Sequence, residues 1–255
     1  MENETVIITG GSSGMGKQMA KRFVEGGANV MITGRTEQTL AKTVRELENA
    51  GDGKPAYTVM DVREPDEITA LLDKTLNIFG GVDHLINNAA GNFVCPAEKL
   101  SVNGWNAVVD IVLNGSFYCS REIGNYWIGK NQKGNIVNMV ATYAWNAGAG
   151  VIHSAAAKAG VLSMTRTLAV EWGSKYGIRV NAIAPGPIER TGGAEKLFES
   201  ESAAQRTLES VPLHRLGKPE EIAEFAYFLC SKHAGYINGE VVTMDGGQWL
   251  NKHPF

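Results

Sequence analysis

The chain has 255 residues, a formal net charge of −3, and 44% hydrophobic against 20% charged residues, the balance of an ordinary globular domain. So small a negative charge excludes attraction to nucleic acid or to an anionic membrane as a basis for function. The three cysteines, Cys95, Cys119 and Cys230, are odd in number and far apart, which argues against a disulfide framework or a zinc site and for a reducing compartment. No apolar run reaches the roughly 18 residues of a membrane span. No basic or apolar leader precedes the strand-like run at Thr5, so a cytoplasmic location is expected.

Short β-branched runs alternate with amphipathic stretches. Thr5–Thr9 reads as a buried strand. The loop Thr9-Gly10-Gly11-Ser12-Ser13-Gly14-Met15-Gly16 joins it to a helical stretch over 14–26. Glycines at such a junction let backbone N–H groups approach a pyrophosphate at the helix N-terminus, although the spacing alone also fits a plain Gly-rich turn. The second strand, Val30–Thr33, ends at Gly34-Arg35. An NAD enzyme carries an acid at this position, whereas an arginine suits a 2′-phosphate and therefore NADP(H). A merely solvated Arg35 is the other reading. A helical stretch over 36–50 leads to the third strand, Ala56–Met60, closed by Asp61, which can accept from an adenine amino group.

Pro65 and Pro219 open the helical stretches 65–79 and 219–231, each at a first turn that tolerates proline. The remaining strands are His84–Asn88, Ile136–Val140, Arg179–Ala184 and Glu240–Met244, with helical stretches over 101–128 and 152–175. The one long irregular connection, about 187–216, is expected to lie over the site as a lid. Strand–helix alternation of this kind implies a parallel sheet with helices on both faces and ligands beyond the carboxyl ends of the strands. The expectation is one α/β domain over 1–255, Rossmann-like and doubly wound, with a seven-stranded parallel sheet.

Thr9–Gly16, Asp61-Val62, Asn87-Asn88-Ala89-Ala90-Gly91, Asn114, Lys158, Asn181, Pro185-Gly186-Pro187-Ile188 and Asp245-Gly246-Gly247 together resemble the short-chain dehydrogenase/reductase family along essentially the whole chain. The resemblance implies NADP(H) contacts at Gly10, Ser12, Ser13, Gly14, Met15, Gly16, Arg35, Asp61, Val62, Asn88 and Ala89. It implies that Lys158 grips the nicotinamide ribose, that Pro185, Gly186, Pro187 and Ile188 flank the nicotinamide, and that Asn114 supports Lys158 through a water. Members are usually homotetramers paired through the helices at 101–128 and 152–175. No metal is implied.

One departure narrows the activity. Most members place a catalytic tyrosine four residues before the lysine, but here Ser154 stands there, and Ala141 replaces the customary upstream serine. A serine is several ångströms shorter than a tyrosine and far less acidic, so ordinary ketone reduction loses its proton donor. Tyr143 lies just after the fifth strand, where a phenol meets a different part of the substrate. That suits a conjugated thioester, in which hydride enters a remote carbon and charge collects on the carbonyl oxygen. With Asn88–Phe93, Ile111–Gly115, Tyr143, Ser154–Gly160 and Pro185–Ile188, the chain resembles the family's 2,4-dienoyl-CoA reductases, in particular the bacterial NADPH-dependent, flavin-free type.

The resemblance implies hydride delivery to C5 of a trans-2,4-dienoyl-CoA and protonation at C2 to a 3-enoyl-CoA, in β-oxidation of polyunsaturated chains. Asn92 and Tyr143 would hold the thioester oxygen, Lys158 with Asn114 would serve the cofactor, and Ser154 would bond the nicotinamide or the thioester region. Arg63, Phe93 and Lys196 are the substrate candidates, the two cations for CoA phosphates. Each has a structural rival: Asn92 a turn, Tyr143 a packing aromatic, Ser154 an N-cap, Phe93 core packing, and Arg63 and Lys196 solvated surface charge. Two other functions stay open, a reductase of enoyl-CoA or 3-oxoacyl thioesters and a non-catalytic NADP(H)-binding regulator.

Overall fold

In the computed structural model the described residues are 1–191 and 201–251. Seven strands form one parallel sheet: β1 Thr5–Thr9, β2 Asn29–Gly34, β3 Pro55–Val59, β4 His84–Asn87, β5 Asn135–Met139, β6 Arg179–Pro185 and β7 Val241–Met244, in the order β3-β2-β1-β4-β5-β6-β7. The helices are α1 Gly14–Glu25, α2 Glu37–Leu47, α3 Pro65–Phe79, α4 Val102–Val109, α5 Gly115–Gly129, α6 Ile152–Tyr176, α7 Glu201–Ser210 and α8 Pro219–Cys230.

All five β1 residues are buried, and their side chains divide by the strand's two-residue period. Val6 and Ile8 join Met19, Phe23, Leu40, Ile222 and Leu229 from α1, α2 and α8 on one face. Ile7 joins Ile68, Leu71, Ile123, Trp127 and Leu168 from α3, α5 and α6 on the other. A strand buried at every position, with Val6, Ile7 and Ile8 at its centre, is therefore what two covered faces require. The strand order reverses between β1 and β4, which opens a crevice at their carboxyl ends.

Local signals account for the helix ends. Pro65 and Pro219 occupy first turns beside Asp66, Glu67, Glu220 and Glu221, whose charges complement the helix N-termini. Glu221 also accepts from the Lys218 N–H at 2.8 Å. Gly80 and Gly177 end α3 and α6 in the left-handed region at φ 82° and 67°.

Two connections differ from the sequence expectation. The single helix expected over 101–128 is α4 and α5 joined by a wider π turn at Asp110–Asn114. There the Asn114 amide donates to Asp110 at 2.8 Å. Apolar periodicity does not register one extra residue in a turn, so the break is invisible to it. The expected irregular lid contains α7, and Gln248 and Asn251 donate to Ser210 at its C-terminal end at 2.8 and 3.1 Å.

Beneath the carboxyl rim lies a buried polar network. Asn87 donates to Ser120 and Asn138 at 2.9 and 2.8 Å, and Asn138 donates to Thr165 at 2.9 Å. It ties β4 and β5 to α5 and α6. Asn87 and Asn138 both donate to buried acceptors, and these bonds stiffen the floor on which the functional loops stand.

Candidate active site

The loop after β1 is shaped by what a side chain would strike. Gly10 and Gly14 have φ of 64° and 50°, and a Cβ on Gly16 would collide with the Gly10 carbonyl and the Asn88 amide. Asn88 holds the loop in place: its side chain donates to Thr9 and Gly10 carbonyls at 2.9 and 3.1 Å. The Thr9 hydroxyl accepts from the Asn88 and Ala89 N–H groups at 3.0 and 2.9 Å. Thr9 is the residue that links the loop to β4, and its place as the last residue of β1 was the signal. At the start of α1, Ser13 makes no capping bond and the first turn carries no acid. The helix N-terminus thus keeps donors and partial positive charge for an anion, and the glycine cradle leaves space for a pyrophosphate.

At the end of β2, Arg35 is exposed and forms no ion pair among the described residues. Its positive charge acts on Asp61, which follows the neighbouring strand β3. Asp61 and Arg63 form a two-pronged pair with contacts of 3.0 and 2.6 Å, and the Arg63 guanidinium holds the Asp61 carboxyl below its ordinary range. The structure therefore brings Arg35, Asp61 and Arg63 together at one end of the crevice. Val62 is buried against Gly115, which has no room for a Cβ.

At the other end stand the residues of β5, its following turn and α6. Lys158 is 7% exposed and donates to the Met139 carbonyl at 2.5 Å. Burial lowers its pKa to about 8, because the interior disfavours the charged form. Tyr143 lies on a single 3-10 turn, Thr142–Ala144. Its hydroxyl is 3.1 Å from that of Ser154, which is buried on the first turn of α6. The N-cap of that helix is Val151, so Ser154 is not capping it. Tyr143 is half-buried, with its hydroxyl paired rather than its ring merely packed.

The loop after β4 carries Asn92, exposed, and Phe93, half-buried. The Cys95 N–H donates to the Gly150 carbonyl at 2.8 Å, so this loop is fastened to the segment before α6. Phe93 meets His153 edge to face with centroids 4.5 Å apart. His153 is fully buried with neither ring nitrogen bonded to protein. Sequence reasoning gave it no role beyond structure, and Asp110 none at all.

Pro185 closes β6, where the Gly186 N–H donates to the Met244 carbonyl at 3.0 Å and its Cα packs against Asp245. Pro187 and Ile188 follow, with Ile188 buried. Lys196 lies outside the described residues. The described residues contain no group of acidic, histidine and cysteine side chains able to hold a metal, and no helix among them is long and apolar enough to cross a membrane.

Residues 10–248 match a family model described as enoyl-(acyl carrier protein) reductase. A Bacillus subtilis protein named as a probable 2,4-dienoyl-CoA reductase, (2E)-enoyl-CoA-producing, is 64% identical over 255 residues and covers 100% of both chains. A Danio rerio protein named peroxisomal 2,4-dienoyl-CoA reductase, (3E)-enoyl-CoA-producing, is 40% identical over 98% of this chain and 83% of its own. Among solved structures, a short chain dehydrogenase from Bacillus anthracis superposes with a TM-score of 0.90 at 62% identity, covering 99% of each chain. A short-chain type dehydrogenase/reductase from Mycobacterium ulcerans gives 0.93 at 31% identity, over 100% of this chain and 93% of that one.

Proposed function

The chain belongs to the short-chain dehydrogenase/reductase family, and from that premise we propose that it reduces trans-2,4-dienoyl-CoA with NADPH. It is an oxidoreductase of the dienoyl-CoA reductase group, working with a nicotinamide cofactor. The observation that carries the mechanism is the 3.1 Å pair between Tyr143 and Ser154, with Ser154 four residues before the buried Lys158.

A reduced nicotinamide cofactor supplies, when bound, the hydride that adds to C5 of the substrate. Addition there pushes electrons through the diene to the thioester, so negative charge develops on an oxygen remote from the hydride carbon. A donor next to C5 would be misplaced. Tyr143, delivered by the turn after β5, and Asn92, delivered by the loop after β4, converge from two strand ends as donors to that oxygen. Ser154 orients the phenol, and Asn114, anchored on Asp110, belongs to the wall behind Lys158. Lys158, buried on α6 four residues after Ser154, would hold the nicotinamide ribose. Protonation of the dienolate at C2 gives the 3-enoyl-CoA expected from the sequence; the (2E)-enoyl product in the Bacillus subtilis relative's name requires a proton at C4 instead. The donor arrangement serves the charged intermediate common to both.

The choice of NADPH rests on Arg35, an exposed cation that forms no ion pair among the described residues, where NAD enzymes carry an acid. Gly10, Ser12, Ser13, Gly14, Met15 and Gly16 would receive the pyrophosphate. Asp61, Val62, Asn88 and Ala89 would line the adenosine, and Pro185 to Ile188 the nicotinamide. Arg63, beside the adenosine end, and Lys196 remain the cations for CoA, with Phe93 at the acyl group. We further propose a cytoplasmic homotetramer acting in β-oxidation of polyunsaturated chains. Exposed Phe117 on α5 and Val170 on α6 supply apolar surface for the subunit contact.

The test is NADPH oxidation with a trans-2,4-dienoyl-CoA, a trans-2-enoyl-CoA and a 3-oxoacyl-CoA, with the product double bond located by NMR. Selective dienoyl turnover supports the proposal. Efficient 3-oxoacyl reduction overturns it, and tight NADPH binding without any turnover makes the protein a regulator.

A further inference from the structure

Trp145 and Trp249 are separated by 104 positions in the sequence, yet their rings meet edge to face with centroids 5.9 Å apart and planes at 85°. Trp145 sits two residues after Tyr143, where the turn following β5 ends. Trp249 lies on a single turn, Gln248–Leu250, in the segment that leaves β7. That segment begins at Asp245, which packs against Gly186, and the Asp245 carboxylate accepts from the Gly247 and Trp249 N–H groups at 2.9 and 2.8 Å. The backbone of Trp249 is therefore held by the same residue that packs against Gly186.

The two rings thus join the rims of β5 and β7 across the end of β6, which lies between those strands in the sheet. With its oxygen at Tyr143, a dienoyl thioester would bind beside this junction, because Trp145 ends the same turn that carries Tyr143. Trp145 is 38% exposed, so part of its ring is open to contact. It is well suited to bounding an apolar channel. The segment that carries Trp249 is in turn tied to the end of α7, since Gln248 and Asn251 both donate to Ser210.

We propose that Trp145 and Trp249 form the end wall of the acyl channel and set the length of chain the enzyme accepts. This rests on the dienoyl-CoA reading above. The family contacts described earlier do not include either tryptophan.

The experiment compares kcat/KM for 2,4-hexadienoyl-, 2,4-decadienoyl- and 2,4-hexadecadienoyl-CoA in the wild type, Trp145→Ala, Trp145→Phe and Trp249→Ala. Removing an indole from the wall frees room for several methylenes, each able to contribute severalfold in an apolar pocket, so the long-to-short ratio should rise by about tenfold or more in either alanine variant. Trp145→Phe keeps an aromatic edge and should restore most of the wild-type ratio. NADPH affinity, measured separately by fluorescence, should stay within about twofold in all three, an outcome a general loss of structure would not give. A ratio that is unchanged, or that falls because the long chain has lost a contact, overturns the wall. Absence of dienoyl turnover in the wild type itself would instead defeat the parent reading, so the two failures are distinct. Should Trp249→Ala fail to fold, the Trp145 pair of variants decides alone.

Discussion

Replacing Tyr143 with phenylalanine removes one oxygen and leaves the ring, which makes it the sharpest probe of the relocated donor. Two costs follow, and they fall on different measurements. In the ground state Ser154 is 1% exposed and its hydroxyl loses the partner now at 3.1 Å, so the folded protein loses about 1 kcal/mol. For a chain of this size that lowers the melting temperature by about 2–4 °C. In the transition state the thioester oxygen loses one of its two donors in a site screened from water, which costs about 3 kcal/mol, or roughly a 10²-fold fall in kcat. NADPH affinity should not change, because the phenol has no part in holding the cofactor. The assay is stopped-flow NADPH oxidation at saturating trans-2,4-decadienoyl-CoA, paired with a thermal melt. Ser154→Ala keeps the phenol and loses only its orientation, so its fall in kcat should be smaller. A Tyr143→Phe enzyme within about threefold of wild-type kcat would refute the reasoning, since threefold is under 1 kcal/mol. A lower melting point with that unchanged rate would reduce Tyr143 to a packing residue.

Gly16→Ala should weaken NADPH binding at least about tenfold by titration calorimetry, because its methyl would displace the Gly10 carbonyl and the Asn88 amide that shape the cradle. Arg35→Ala should lower kcat/KM for NADPH by about 10- to 100-fold while leaving NADH unaffected, the scale of a lost charge-assisted contact; an equal fall with both cofactors would contradict the 2′-phosphate assignment. Lys158 has a folded pKa near 8 against a usual 10.5. Between those values the unfolded chain holds the proton that the folded one has released. Stability of the cofactor-free protein from this group therefore rises with pH through that window and is lost as pH falls through about 8. Denaturant titrations from pH 7.5 to 10.5 should show the rise in wild type and a smaller one in Lys158→Met, and parallel profiles would place the lysine in water.

The fold was legible because its signals are local and repeated. Thr5–Thr9 is apolar on both faces, and Pro65 and Pro219 mark first turns, so strand and helix type follow without knowledge of neighbours. What escaped was geometry that periodicity averages away. The π turn at Asp110–Asn114 changes a helix by one residue per turn, and its consequence, an amide held by a carboxylate four residues away, exists only once the turn is built. Likewise α7 lies in a stretch whose polar sequence resembles a loop, and its end is fixed by Gln248 and Asn251 from the far end of the chain.

The site divides along the same line, and the division explains why a missing residue told more than the residues present. Gly10, Gly14 and Gly16 declare themselves because backbone shape restricts residue type. Ser154 declares itself by failing to be the tyrosine that a carbonyl reductase needs, and that absence made Tyr143 conspicuous eleven positions earlier. Their contact, by contrast, depends on a turn after β5 folding back onto the first turn of α6, which no spacing rule encodes. His153 shows the limit from the other side. One residue before Ser154, fully buried and against Phe93, it has two ring nitrogens without a protein partner. Read from the sequence it is a structural residue, and only the folded chain shows its ring packed edge to face against Phe93 in the loop after β4. In the mechanism proposed above, activity follows less from a motif the chain carries than from one family position vacated and a phenol supplied from another strand end.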